Sequence, residues 1–145
     1  MAEIRTTYST RSKTTDVPGR TLNSARTNHW IIDSPSGPGE AVSTGESFMA
    51  GIAACGVSLV EHHARRNNMP FGTLTVDIEG ARTDESWPDF AWINVHFTYT
   101  GIDGDQATSL TDVWKENCPL YRAVAKSTKT AVTHEVKELA GAATR

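Results

Sequence analysis

Cys55 and Cys118 are the only cysteines of the chain, and each sits where thiol chemistry is plausible. Cys55 closes the apolar run Phe48-Met49-Ala50-Gly51-Ile52-Ala53-Ala54. A thiol reacts as the thiolate, and an apolar setting raises its pKa, so chemistry at this sulfur calls for an arginine close by. Cys118 is followed by Pro119. Proline favours the first helical position, which predicts Cys118 at a helix N-cap, where backbone N–H groups and the helix dipole favour a thiolate. Together the two residues suit a two-thiol redox enzyme. Each also has a plainer reading: Cys55 as an inert core cysteine, and Asn117-Cys118-Pro119 as a mere helix start.

Other chemistries find less support. His62 and His63 are adjacent, and neighbouring helix positions diverge by about 100°, so they do not converge on one ion. His29, His96 and His134 show no ligand spacing, and no metal site is expected. Asp103-Gly104-Asp105 resembles a fragment of a calcium loop but lacks the remaining ligands, so it reads as a turn and helix cap. There is no phosphate-cradling glycine motif, no Gly-x-Ser-x-Gly elbow and no Cys-x-x-Cys. Glu46 precedes Cys55 by nine residues, about half a turn out of phase and about 13 Å along a helix. It cannot touch Cys55 of its own helix, and serves either as a carboxylate in the first helical turn or as a partner for an arginine.

The elements that must position these residues follow from periodicity. Ile4, Thr6, Tyr8 and Thr10 alternate with polar residues, and after a turn at Asp16-Val17-Pro18-Gly19 the chain is extended again up to Trp30-Ile31-Ile32, predicting strands within residues 1–35. The breaker-rich Asp33-Ser34-Pro35-Ser36-Gly37-Pro38-Gly39 is a loop. A helix is predicted over 44–68, capped by Ser43 or Thr44 and apolar nearly all round, hence buried on several sides. Gly51 and Gly56 each cost about 1 kcal/mol relative to alanine there, which points to close approach of another backbone, a second copy of the same helix being a candidate. Leu74, Val76, Ile78 and then Ile93, Val95, Phe97, Tyr99 alternate with polar residues, predicting an antiparallel pair within 72–100 with one face buried. Residues 105–137 read as a helix with Leu110, Val113 and Trp114 inward, a short helix after Pro119, and a strand around Val132, His134 and Val136. The Ala-Gly-Ala-Ala tail is expected to fray. The class is α+β.

A chain of 145 residues fits one domain with a core of useful size. Its net charge of −3 lacks long blocks of either sign, so there is no footprint for nucleic acid or an anionic membrane. The apolar stretch from Phe48 to Val60 is too short to span a bilayer, and no secretory signal is legible. A cytoplasmic location is therefore expected, where thiols rest reduced and a transient catalytic disulfide is permitted.

The helix from Glu46 to Cys55, the strand pair after it, and Cys118-Pro119 resemble the OsmC/Ohr superfamily, the osmotically inducible protein C and organic hydroperoxide resistance proteins. Asp33-Ser34-Pro35, Gly39-Glu40 and Glu46 ahead of Ala53-Ala54-Cys55 are similar in order to the OsmC-like branch. Where that branch carries Pro-Thr-Pro, this chain has Ser43-Thr44-Gly45. The resemblance implies an OsmC-like fold, an antiparallel sheet wrapped around a long central helix in an intertwined homodimer. It implies thiol-dependent peroxidase activity without metal or other cofactor, with Cys55 as peroxidatic and Cys118 as resolving cysteine, and with a small dithiol or lipoyl-type reductant. It further implies an arginine from the N-terminal strands, Arg26 first and Arg20 second, paired with a glutamate that Glu46 matches. A wall of Phe48, Ile52 and Trp30 would favour organic hydroperoxides as substrates. The rival readings are a non-catalytic small-molecule-binding dimer of the same fold and a hotdog-type thioesterase, which leaves the cysteine pair unexplained.

Overall fold

In the computed structural model, which describes Glu3 and residues 6–139, the chain divides into two compact units, Met1–Phe48 and Met49–Arg145. The first holds three antiparallel strands in the order β1 (Arg11–Thr14), β2 (Arg20–Ala25), β3 (Asn28–Asp33). The extended stretch expected up to Ile32 is in fact two strands. They are joined at Arg26-Thr27, where Arg26 takes a left-handed φ of 55°. No glycine or Asn-Gly marks this turn, so the sequence carries no hairpin signal there. The alternation expected to begin at Ile4 yields a strand only from Arg11. Ile4 lies outside the described residues, and residues 6–10 have no regular structure. In this register Thr10 would stand opposite Ala25, the last residue of β2, so residues 6–9 run past the end of β2, and an unpaired strand has no stability of its own.

The loop after β3 is fixed by one buried carboxylate. Arg20 and Asp33 are direct cross-strand partners, and Arg20 donates from Nε to Asp33 Oδ1 (2.8 Å) and from Nη2 to Oδ2 (2.9 Å). The backbone N–H groups of Glu40 and Ala41 donate to Asp33 Oδ2 at 2.9 and 3.0 Å. A two-pronged arginine contact of this kind combines charge with fixed geometry. Gly19, at φ 79°, lets the loop pass close: a β-carbon there would stand 2.6 Å from the Gly37 nitrogen. The Asp33 carboxyl is held well below its ordinary value of 3.8, first by Arg20, then by the two backbone donors, against the opposing effect of burial.

The second unit is built on helix α1 (Thr44–Arg66), which begins in the first. It starts at the predicted cap and ends in a Schellman arrangement. Asn68 at φ 51° takes the place usually held by glycine, with Met69 N–H on Ala64 O (2.9 Å) and Asn68 N–H on Arg65 O (3.2 Å). Within the chain the helix is buried along one stripe, Ile52, Gly56, Val60 and Ala64. That stripe meets a sheet of β4 (Leu74–Ala81), β5 (Trp92–Thr100) and β6 (Thr130–Lys137). β4 and β5 pair antiparallel, and Ile93, Val95, Phe97 and Tyr99 on β5 supply the buried face. β6 adds parallel to β5. That direction requires a crossover, supplied by α2 (Gly104–Asn117) and α3 (Pro119–Ala125). Asp103 and Gln106 form a capping box at the start of α2, and Leu110 and Trp114 point inward. Trp114 packs edge-on to Phe97 and against Tyr121, with ring centroids 4.9 and 4.5 Å apart. The Ala-Gly-Ala-Ala tail lies outside the described residues. Among the described residues no helix is long and apolar enough to cross a membrane.

Two predictions follow from these contacts. A β-carbon on Gly56 would stand 3.2 Å from Val76 Cγ2 and 3.4 Å from the Phe97 ring, so Gly56→Val should cost about 1–3 kcal/mol of stability in urea titration. Because the folded pKa of Asp33 is depressed, the unfolded chain binds more protons as pH falls below about 4, and the stabilisation present above that pH is lost on acidification. Asp33→Asn should flatten the acid limb of stability against pH, and an unaltered slope would remove Asp33 from that role.

Candidate functional site

The two sulfurs meet within the second unit. Helix α1 carries Cys55 beside the buried stripe and leaves it half-buried. Cys118 occupies the junction of two helices, at once the C-cap of α2 and the N-cap of α3. Its N–H donates to Trp114 O at 2.8 Å and its carbonyl accepts from Arg122 N–H at 3.0 Å. Its Sγ accepts from Tyr121 N–H at 3.4 Å. Pro119 takes the first helical position, where its missing N–H costs nothing. From this seat Cys118 Sγ donates to Cys55 Sγ at 2.8 Å. Both are free thiols, and Cys118 has no exposed surface.

The electrostatics of Cys55 run against reactivity in the single chain. Burial first, then the hydrogen bond with Cys118 and the charge of that neighbour, push its thiol up to about 12. No cation figures among these influences. The arginines foreseen for this task lie in the first unit. Arg20 is held by Asp33 and also donates from Nη2 to Glu40 Oε2 at 2.8 Å. These carboxylates hold its proton more firmly still. Arg26 sits in the exposed β2–β3 turn.

Glu46 is engaged in capping α1. Its Oε2 accepts the Ser43 N–H at 2.7 Å while its own N–H donates to Ser43 Oγ at 3.2 Å, a reciprocal capping box. Its carboxyl is lowered chiefly by the Ser43 backbone donor. The carboxylates on Arg20 are therefore those of Asp33 and Glu40. Neither was singled out as a site residue from the sequence, and the Arg20↔Asp33 pairing becomes visible only once the hairpin register is known. The Ser43-x-x-Glu46 spacing, by contrast, was a readable signal. Ile52, expected in a substrate wall, is 2% exposed and faces the core; Trp30 and Phe48 are 38% and 42% exposed. Among the described residues no group of three or more His, Cys, Asp or Glu side chains is placed to hold a metal ion.

Residues 37–133 match the family model described as OsmC-like protein. No curated protein matches the sequence. The fold is similar to that of an OsmC-like protein from Mycoplasma pneumoniae (TM-score 0.81, 13% identity, covering 94% of this chain and 99% of that one). It is also similar to the organic hydroperoxide resistance protein OsmC from Legionella pneumophila (0.75, 19%, 92% and 100%). The organic hydroperoxide resistance protein OhrB of Bacillus subtilis is a third such structure (0.67, 18%, 90% and 98%). With two free thiols in contact between α1 and the α2–α3 junction, and a family model spanning both, the chain belongs to the OsmC-like protein family.

Proposed function

We propose that the protein is a thiol peroxidase that reduces organic hydroperoxides. The observation that carries this reading is the sulfur pair: one half-buried thiol in contact with one fully buried thiol. The Cys55 thiolate attacks the terminal oxygen of the hydroperoxide. The O–O bond breaks, the sulfur becomes a sulfenic acid, and the alkoxide leaves and takes up a proton as the alcohol. Cys118 then condenses with the sulfenic acid, forming the S–S bond and releasing water. A dithiol or lipoyl-type reductant restores both thiols by exchange. The similarity to organic hydroperoxide resistance proteins supports the substrate class.

The raised Cys55 pKa makes a cation necessary, since burial disfavours the thiolate. We propose Arg20 for that role ahead of Arg26, because Asp33 and Glu40 already fix its guanidinium. Glu46 would act indirectly, by fixing the start of α1. Ala50 and Ala54 are exposed on α1, which supports packing against a second copy in a homodimer. The same raised pKa favours a second reading, a binding dimer of this fold with inefficient peroxide chemistry.

Stopped-flow oxidation of the reduced protein by cumene hydroperoxide separates the two. Cys55→Ser should abolish the reaction, and Cys118→Ser should stop it at the sulfenic acid, trapped by dimedone. In Arg20→Gln the rate should climb about tenfold per pH unit through the alkaline range, following an unassisted thiol, whereas the unsubstituted protein should level off near neutrality. Equal, steep pH profiles in both would remove Arg20 from the mechanism. Slow oxidation of the unsubstituted protein at every pH would favour the binding dimer.

A further inference from the structure

The sequence has no long block of either charge, yet the strands of the first unit assemble a cationic face. Side chains two apart along a strand share a face, and directly opposed cross-strand partners share it too. Arg11 and Lys13 on β1 therefore stand on the same face as their β2 partners Ser24 and Leu22, and Ser24 continues the row to His29 on β3. His29 Nδ1 lies 2.8 Å from Ser24 Oγ. With Tyr8 and Arg26, these residues line a cleft of about 840 Å³, a size typical of sites that hold small organic molecules. Among the described residues no carboxylate lines it. Arg20, also on β2, has its charge met by Asp33 and Glu40. The side chains of Arg11, Lys13 and Arg26 meet no hydrogen-bond or ion-pair partner among the described residues.

The backbone of Arg26 is a second, independent observation. It holds a left-handed φ of 55°, which glycine or asparagine adopts at lower cost. Strained backbone of this kind clusters where a side chain has a task, and here it carries a free guanidinium to the rim of the cleft. Tyr8, 85% exposed, offers an uncovered aromatic ring, and Leu22 gives the cleft an apolar wall.

We infer that this cleft binds a small organic phosphate bearing an aromatic ring. Arg11, Lys13 and Arg26 supply charge and N–H donors to the phosphate oxygens, and the ring packs against Tyr8 and Leu22. All the lining residues belong to the first unit, and the site uses neither sulfur, so it stands or falls apart from the peroxidase reading.

The test is isothermal titration calorimetry of the reduced full chain with adenosine monophosphate, inorganic phosphate and adenosine. Adenosine monophosphate should bind saturably with a Kd below about 1 mM, more tightly than either phosphate or adenosine alone, and added salt should weaken it. Arg11→Gln and Lys13→Gln should each weaken it about tenfold, the order of a lost charge-assisted hydrogen bond. Arg26→Gly should weaken it as much while keeping or raising the thermal midpoint, because glycine relieves the turn; a residue serving the turn alone would leave the affinity unmoved. Absence of saturable binding, or binding that none of the three substitutions alters, would overturn the inference. So would tighter binding of a single-stranded oligonucleotide than of the mononucleotide, which would assign the face to nucleic acid. Dissociation of an oligomer in the double variant Arg11→Glu, Lys13→Glu would overturn it as well, by assigning the face to contact with a second copy.

Discussion

Cys118 ends one helix and begins the next, and the proposed chemistry depends on that double duty. Its N–H is bound to the last turn of α2, its carbonyl and sulfur to the first turn of α3. The sulfur therefore cannot shift without disturbing both helices. Behind it, Trp114 is wedged between Phe97 and Tyr121, with its indole N–H lacking a hydrogen-bond partner among the described residues. Packing alone locates that ring, and with it the end of α2. The opposite sulfur is placed with equal firmness, because Gly56, the next residue after Cys55, brings α1 hard against Val76 and Phe97. A condensation between two sulfurs needs them held at contact distance, and the second unit supplies this before any oxidant arrives.

Burial of the pair has an opposing effect. The environment that lets two thiols touch also suppresses ionisation of Cys55. A buried cysteine of this kind becomes nucleophilic only beside a positive charge. The first unit contains a guanidinium that is already oriented, because a buried aspartate grips two of its nitrogens and also ties down the loop through the N–H groups of Glu40 and Ala41. Held in this way, an arginine has little rotamer freedom left to lose on meeting an anion.

Much of this was legible in the residues, and the rest was not for physical reasons. The alternation in β5, the breaker-rich loop and the proline after Cys118 each specify local geometry, and the strand pair, α1 and the N-cap at Cys118 follow from them. The turn at Arg26 left no trace because an arginine in left-handed backbone has no sequence signature. The parallel addition of β6 is a property of the crossover, which alternation does not encode. In the single chain one stripe of α1 faces the sheet, and other apolar positions, Phe48 and Ala54 among them, stay exposed. The contact of the two sulfurs depends on tertiary packing between elements far apart in sequence, and proximity to proline could not establish it.

The most direct test is the intact mass of the reduced protein after brief exposure to substoichiometric cumene hydroperoxide, followed by peptide mapping. A product lighter by two hydrogen atoms, with peptides joined through Cys55 and Cys118, is the expected result. A mass that does not change, or a disulfide that forms only between chains, would contradict an internal two-thiol peroxidase cycle.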